Sequence, residues 1–116
     1  MTAITDYINN DFRAIDGQET ILAAQDFFMD ASFSHFPVLE DGIYIGSLVA
    51  DDLETFDTDK KVGDYKYTLE PFFVRPSMIW LDVLEVFGKN QTNVVPVLDE
   101  NNHYLGYYDL VDVMKF

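Results

Sequence analysis

The chain repeats itself. Phe36-Pro37-Val38-Leu39-Glu40-Asp41 is answered by Val95-Pro96-Val97-Leu98-Asp99-Glu100, each a hydrophobic residue, then Pro-Val-Leu, then two acids. A turn follows in both copies, Asp41-Gly42 in the first and the longer Asp99-Glu100-Asn101-Asn102 in the second. Tyr44-Ile45-Gly46 and Tyr104-Leu105-Gly106 come next, and an acid stands six residues beyond each glycine, Asp52 and Asp112. The match extends upstream: Ile4-Thr5-Asp6-Tyr7 mirrors Val62-Gly63-Asp64-Tyr65, Ala14-Ile15 aligns with Phe73-Val74, and Ile21–Phe28 aligns with Trp80–Phe87. The copies are 59 positions apart at the prolines and 60 at the glycines, so the second turn carries one extra residue. A repeat of this kind constrains the fold strongly, because each unit has to bury its apolar face against its neighbour.

Within a unit the pattern is strand, helix, strand, strand, helix. A short strand is expected near Phe12–Asp16, with its counterpart near Phe72–Arg75. A helix over about Glu19–Asp30 follows from Ile21, Leu22, Ala24, Phe28 and Met29 at helical spacing. Its counterpart runs over about Ser77–Gly88, with Ser77 as N-cap, Gly88 near the C-terminus, and a stripe of Ile79, Trp80, Val83, Leu84 and Phe87. The Pro-Val-Leu and Tyr-x-Gly segments read as hairpin strands joined at Asp-Gly in copy one and Asn-Asn in copy two. Second helices begin near Ala50 and near Asp109, and polar Asp57–Lys61 links the copies. The expected fold class is α/β (α+β): two tandem β-α-β-β-α units, residues 1–59 and 60–116, packed with pseudo-twofold symmetry as one module. Each unit is under sixty residues and would leave an apolar sheet face bare if it stood alone. The cleft between the two is the natural place for a ligand.

Composition narrows the function. An apolar fraction of 48% is too high for a disordered chain. The net charge of -14 opposes nucleic-acid backbones and anionic membranes. With no cysteine there is no disulfide, thiolate nucleophile or Cys-bound metal, and two histidines without a ligating spacing make no zinc site. Asp57-x-Asp59 lacks the glycine and terminal glutamate of a calcium loop. No Ser-His-Asp order, Gly-rich phosphate loop or nucleophile elbow occurs, so an enzyme is not expected. The N-terminus has neither the basic start nor the apolar stretch of a signal peptide, and no apolar run reaches membrane-spanning length, which predicts a soluble, cytoplasmic protein.

The repeated unit resembles a CBS domain, and the tandem copy resembles a CBS pair, or Bateman module. Pro37-Val38, Gly46 and Asp52, then Pro96-Val97, Gly106 and Asp112, carry the resemblance over essentially the whole chain. It implies a regulatory module, a flat homodimer, and an adenosine-type ligand such as AMP, ATP or S-adenosylmethionine in the inter-copy cleft, controlling an attached or partner domain. The family's ligand motif is Gly, a hydroxyl residue three on, and Asp three beyond that. Asp52 and Asp112 stand where the ribose-binding acid belongs, but Val49 and Asp109 stand where the hydroxyl belongs. Val49 offers no hydrogen bond, and Asp109 adds a negative charge or caps a helix. A carboxylate about 5 Å from a phosphate costs roughly 3 kcal/mol at an effective dielectric near 20, about a hundredfold in affinity. Asp51 beside Asp52 adds to that cost, so an uncharged or cationic adenosyl ligand is favoured over ATP. His35, ahead of the first Pro-Val strand, is expected on the cleft wall or at an interface, and Arg13 and Arg75, flanking the first strand of each copy, are candidate phosphate partners. The alternative is an interaction module that has lost nucleotide binding and kept only dimerisation. The chain stops at Val113-Met114-Lys115-Phe116, inside the last expected helix, which predicts a fragment of a longer protein with an effector domain downstream.

Overall fold

The computed structural model describes residues 3–116. After a 3-10 turn at Ile4–Tyr7, the first repeat contributes β1 (Ile15–Asp16), α1 (Ile21–Phe28), β2 (His35–Glu40), β3 (Ile43–Val49) and α2 (Ala50–Thr55). A second 3-10 segment, Val62–Thr68, precedes α3 (Trp80–Asn90), β4 (Val94–Leu98), β5 (Tyr104–Asp109) and α4 (Leu110–Lys115). In the first sheet β1 runs parallel to β2, and β2 pairs antiparallel with β3; β4 and β5 form the matching hairpin. Both hairpins slip register at the same place, where Ile45 and Leu105 are extra residues ahead of the repeat glycines.

The first strand and the first helix of each repeat differ from expectation. The strand foreseen at Phe72–Arg75 is reduced to one bridge, Val74 parallel to Val97, and the one near Phe12–Asp16 to two residues. Pro71 and Pro76 bracket the former and remove ladder donors. α3 begins at Trp80, beyond Ser77, with Ile79 as an N-cap that offers no side-chain bond, and it ends on Gln91 in the left-handed conformation (φ 50°) rather than at Gly88. α1 is also shorter than foreseen. It is capped by Thr20, whose hydroxyl accepts the Ala23 amide.

The described residues form two hydrophobic cores, and each borrows from the other repeat. Ile15, Ile21, Ala24, Phe28, Phe36, Val38, Leu48 and Leu53 pack together with Val62 from beyond the linker. Phe72, Val74, Val83, Phe87, Val95, Val97, Tyr108 and Val113 pack together with Ile4 from the chain's start. The segments behind those two borrowed residues then add to the opposite hairpins, Asn9 bridging Tyr107 and Glu70 bridging Ser47. This crossing explains the repeat glycines. A Cβ on Gly46 (φ 140°) would lie 2.7 Å from the Leu69 Cβ, and one on Gly106 (φ 147°) would collide with the Asn9 carbonyl oxygen. The repeat tyrosines brace the same crossing, Tyr44 donating to the Phe72 carbonyl (2.6 Å) and Tyr104 to the Phe12 carbonyl (3.3 Å).

Candidate functional site

The pseudo-twofold axis passes between Ser34 and Asn93, equivalent residues just ahead of β2 and β4. The Ser34 amide donates to Asn93 Oδ1 (2.8 Å), and the Asn93 amide donates to Ser34 Oγ (3.1 Å). Their carbonyls accept the first amides of the following helices, Ser34 from Ala50 (2.9 Å) and Asn93 from Leu110 (3.1 Å). Strand alternation then assigns the faces. Phe36, Val38 and Leu48 point into the first core, while the register pairs His35–Val49 and Pro37–Ser47 face the opposite repeat. Beside this axis lies a cleft of about 560 Å³, lined among others by Ser34, His35, Val49, Asp51, Glu70 and Asn93. That size suits a small organic ligand.

His35 is buried and held on three sides. Its Nδ1 meets Ser34 Oγ (2.8 Å), its Nε2 meets Glu70 Oε1 (3.1 Å), and its ring packs edge-on against Phe72 at 5.1 Å. Glu70 itself remains 43% exposed at its side chain, so its carboxylate opens onto solvent while anchoring the imidazole. The lining contains two acids, Asp51 and Glu70, and neither Lys nor Arg. The residues between the hairpin and the cleft are fixed by Tyr44, whose hydroxyl also meets Ser47 Oγ (2.9 Å). Burial pushes that phenol far above its ordinary pKa.

Among the residues singled out from sequence, the fold brings His35 and Val49 together on this cleft. Asp52 lies half-buried in α2 and is not among the lining residues; its neighbour Asp51 is. Asp109 and Asp112 belong to the equivalent face of the second repeat. There Asp109 caps α4 by accepting the Val111 amide (2.9 Å), and Asp112 accepts from Asn9 Nδ2 (3.3 Å). Arg13 is engaged with Glu19 and lies over the Phe27 ring (4.3 Å). Arg75 donates to the Asp99 carbonyl and lies over Phe73 (4.6 Å), beside a separate cavity of about 410 Å³. Neither arginine lines the cleft of His35. Glu70, Ser34, Asn93 and Tyr107 escape the reading of the sequence. Glu70 and the axis pair sit in segments without periodicity, but Tyr107 is readable by aligning Gly46-Ser47 with Gly106-Tyr107.

Two repeats exchange segments around a shared, ligand-sized cleft, and comparison with known proteins identifies the second of them. The CBS domain family matches residues 62–116. No curated protein matches the sequence significantly. Among solved structures, a CBS domain pair/ACT domain protein from Thermotoga maritima superposes with a TM-score of 0.84 at 23% identity, covering 98% of this chain and 94% of that one. CBSX2 in complex with AMP gives 0.77 at 18% identity, covering 97% and 93%. The cytosolic domain of the Mg2+ channel MgtE in complex with ATP gives 0.82 at 19% identity; 97% of this chain is covered, and it spans about half (48%) of that one. Residues 62–116 belong to the CBS domain family, and the chain as a whole has the fold of a CBS domain pair.

Proposed function

We propose that this CBS domain pair is a regulatory module, not a catalyst, that binds one adenosine-containing metabolite in the cleft beside His35 and transmits its occupancy to an attached or partner domain. The observation that carries the reading is the open cleft itself. It combines a ligand-sized volume, a wall of the Phe33 ring and the buried His35 imidazole, and the partly exposed carboxylate of Glu70. Structural neighbours of this fold that hold AMP or ATP support the adenosine class. The lining selects within that class. With Asp51 and Glu70 present and no lysine or arginine, S-adenosylmethionine or adenosine is favoured over AMP, and AMP over ATP. Apolar side chains left exposed on the helices, Leu22, Leu81, Val111 and Met114, support a homodimer formed through the helical faces.

A thermal-shift series with adenosine, S-adenosylmethionine, AMP and ATP tests the reading. A ligand at a hundred times its dissociation constant stabilises by roughly 2.7 kcal/mol, so a clear rise in Tm is expected from the first two. No shift from any of the four leaves the alternative, a module retained for dimerisation alone, which light scattering would report as a dimer indifferent to nucleotides.

A further inference from the structure

The repeat places Tyr107 where the first copy has Ser47, each one residue after the bulge glycine and facing the opposite repeat. Ser47 turns its small hydroxyl to Tyr44, and the neighbouring cleft stays open. Tyr107 reaches across instead. Its hydroxyl donates to Asp11 Oδ1 (2.8 Å), and its ring meets Phe33 edge-on at 5.2 Å. Phe33 is in turn wedged against Phe12 (5.2 Å), and the whole tyrosine is only 7% exposed. The acids of the second copy are occupied as well, Asp109 by its own helix and Asp112 by Asn9.

We propose that Tyr107 is a built-in plug that fills the second inter-repeat cleft, leaving the module with one ligand site per chain. A ligand entering the second cleft would first have to expel a buried, hydrogen-bonded phenol from an aromatic wall. Burial, then the bond to Asp11 and the charges of Asp11, Asp109 and Asp112, push the Tyr107 phenol well above its ordinary pKa, so it remains a donor throughout the physiological range. The stoichiometry rests on the ligand reading above, whereas the plug stands on geometry alone.

The chain has no cysteine, so a single introduced thiol reports on each cleft. His35 and Val94 are equivalent positions, both buried, one backing the open cleft and the other the plugged one. Under native conditions iodoacetamide should alkylate His35→Cys at least about tenfold faster than Val94→Cys, because removing the imidazole leaves the first thiol facing the open cleft, whereas the second lies behind Tyr107 and needs an opening fluctuation. Adding Tyr107→Ser to Val94→Cys should raise its rate roughly tenfold, while Tyr107→Phe, which keeps the ring, should leave it slow. Equal rates for the two single variants, or no acceleration by Tyr107→Ser in a protein that circular dichroism shows to be folded, overturns the plug. If Tyr107→Ser does not fold, Tyr107→Val takes its place, and the comparison of the two single variants still decides. Calorimetry with S-adenosylmethionine should then give one site per chain, and two with Tyr107→Ser. Absence of heat from both counts against the ligand reading and leaves the plug to stand or fall on the alkylation rates.

Discussion

The two inter-repeat clefts are built from equivalent residues and end in opposite states. In the first, Ser47 is small, His35 and Glu70 form a buried-to-exposed polar pair, and about 560 Å³ stays open. In the second, Tyr107 spans the gap to Asp11 and Phe33, and Val94 stands where the first has His35. The backbone is nearly the same in both, with matched bulges, matched crossings and reciprocal bonds at Ser34 and Asn93. Duplication therefore fixes the architecture twice, because both copies need it to cover their sheets. Ligand capacity can be kept in one copy and closed in the other by side chains that cost the fold little.

The strongest way to break the comparison is at the crossing both halves share. Gly106→Ala would force a Cβ onto the Asn9 carbonyl oxygen, a backbone atom, and should destabilise by about 3–5 kcal/mol in urea unfolding. Gly46→Ala meets the Leu69 Cβ at 2.7 Å, an obstacle with more room to yield, and should cost about 2–3 kcal/mol. Equal, small losses would mean that the crossing segments are not seated as described.

The tyrosine braces sharpen it next. The Tyr44 hydroxyl serves Phe72 and Ser47 in a buried setting, whereas Tyr104 makes one longer bond. Tyr44→Phe should therefore cost about 1–2 kcal/mol more than Tyr104→Phe, because it strands the Ser47 hydroxyl and the Phe72 carbonyl. Thermal unfolding of the pair decides it, and the reverse order would contradict the burial difference.

A smaller effect concerns charge at the open cleft. Asp51→Asn removes an exposed acid and should raise AMP affinity about three- to tenfold, leaving adenosine unchanged, as read by calorimetry. A parallel change for adenosine would show that Asp51 acts through structure and not through charge.

The smallest effect lies in the second hairpin. The His103 amide, with help from the Asn101 amide and the His103 ring, lowers the pKa of the Asp99 carboxyl below its ordinary value. Its contribution is therefore present above the unfolded-state pKa and lost as pH falls through the folded one. Carbon-13 NMR titration should place its midpoint below that of a free aspartate, and a midpoint at the ordinary value would remove the role assigned to this turn.

Much of this fold is legible in the sequence because its signals are local. The helical stripe around Val83 and Phe87, the Asp41-Gly42 turn and the two Pro-Val strands each follow from near-neighbour chemistry, and the repeat supports each one twice. The exchange of Ile4 and Val62 between cores is not legible, because nothing near either residue in sequence records which sheet it will cover. The first strands are overstated for a related reason: β-prone residues at Phe72–Arg75 sit between prolines and pair through Val74 alone. At the site, His35 and Val49 are reached through the family resemblance, His35 from its place ahead of the Pro-Val strand and Val49 from the motif position three residues after Gly46. Glu70 is not, since it reaches the cleft through the crossing segment.

The central claim, one adenosine-type site per chain in an acidic cleft, is tested most directly by calorimetric titration of the unmodified chain with S-adenosylmethionine and with ATP. The account predicts one S-adenosylmethionine per chain and at least about tenfold weaker binding of ATP. Two sites per chain, or ATP binding the more tightly of the two, would contradict it.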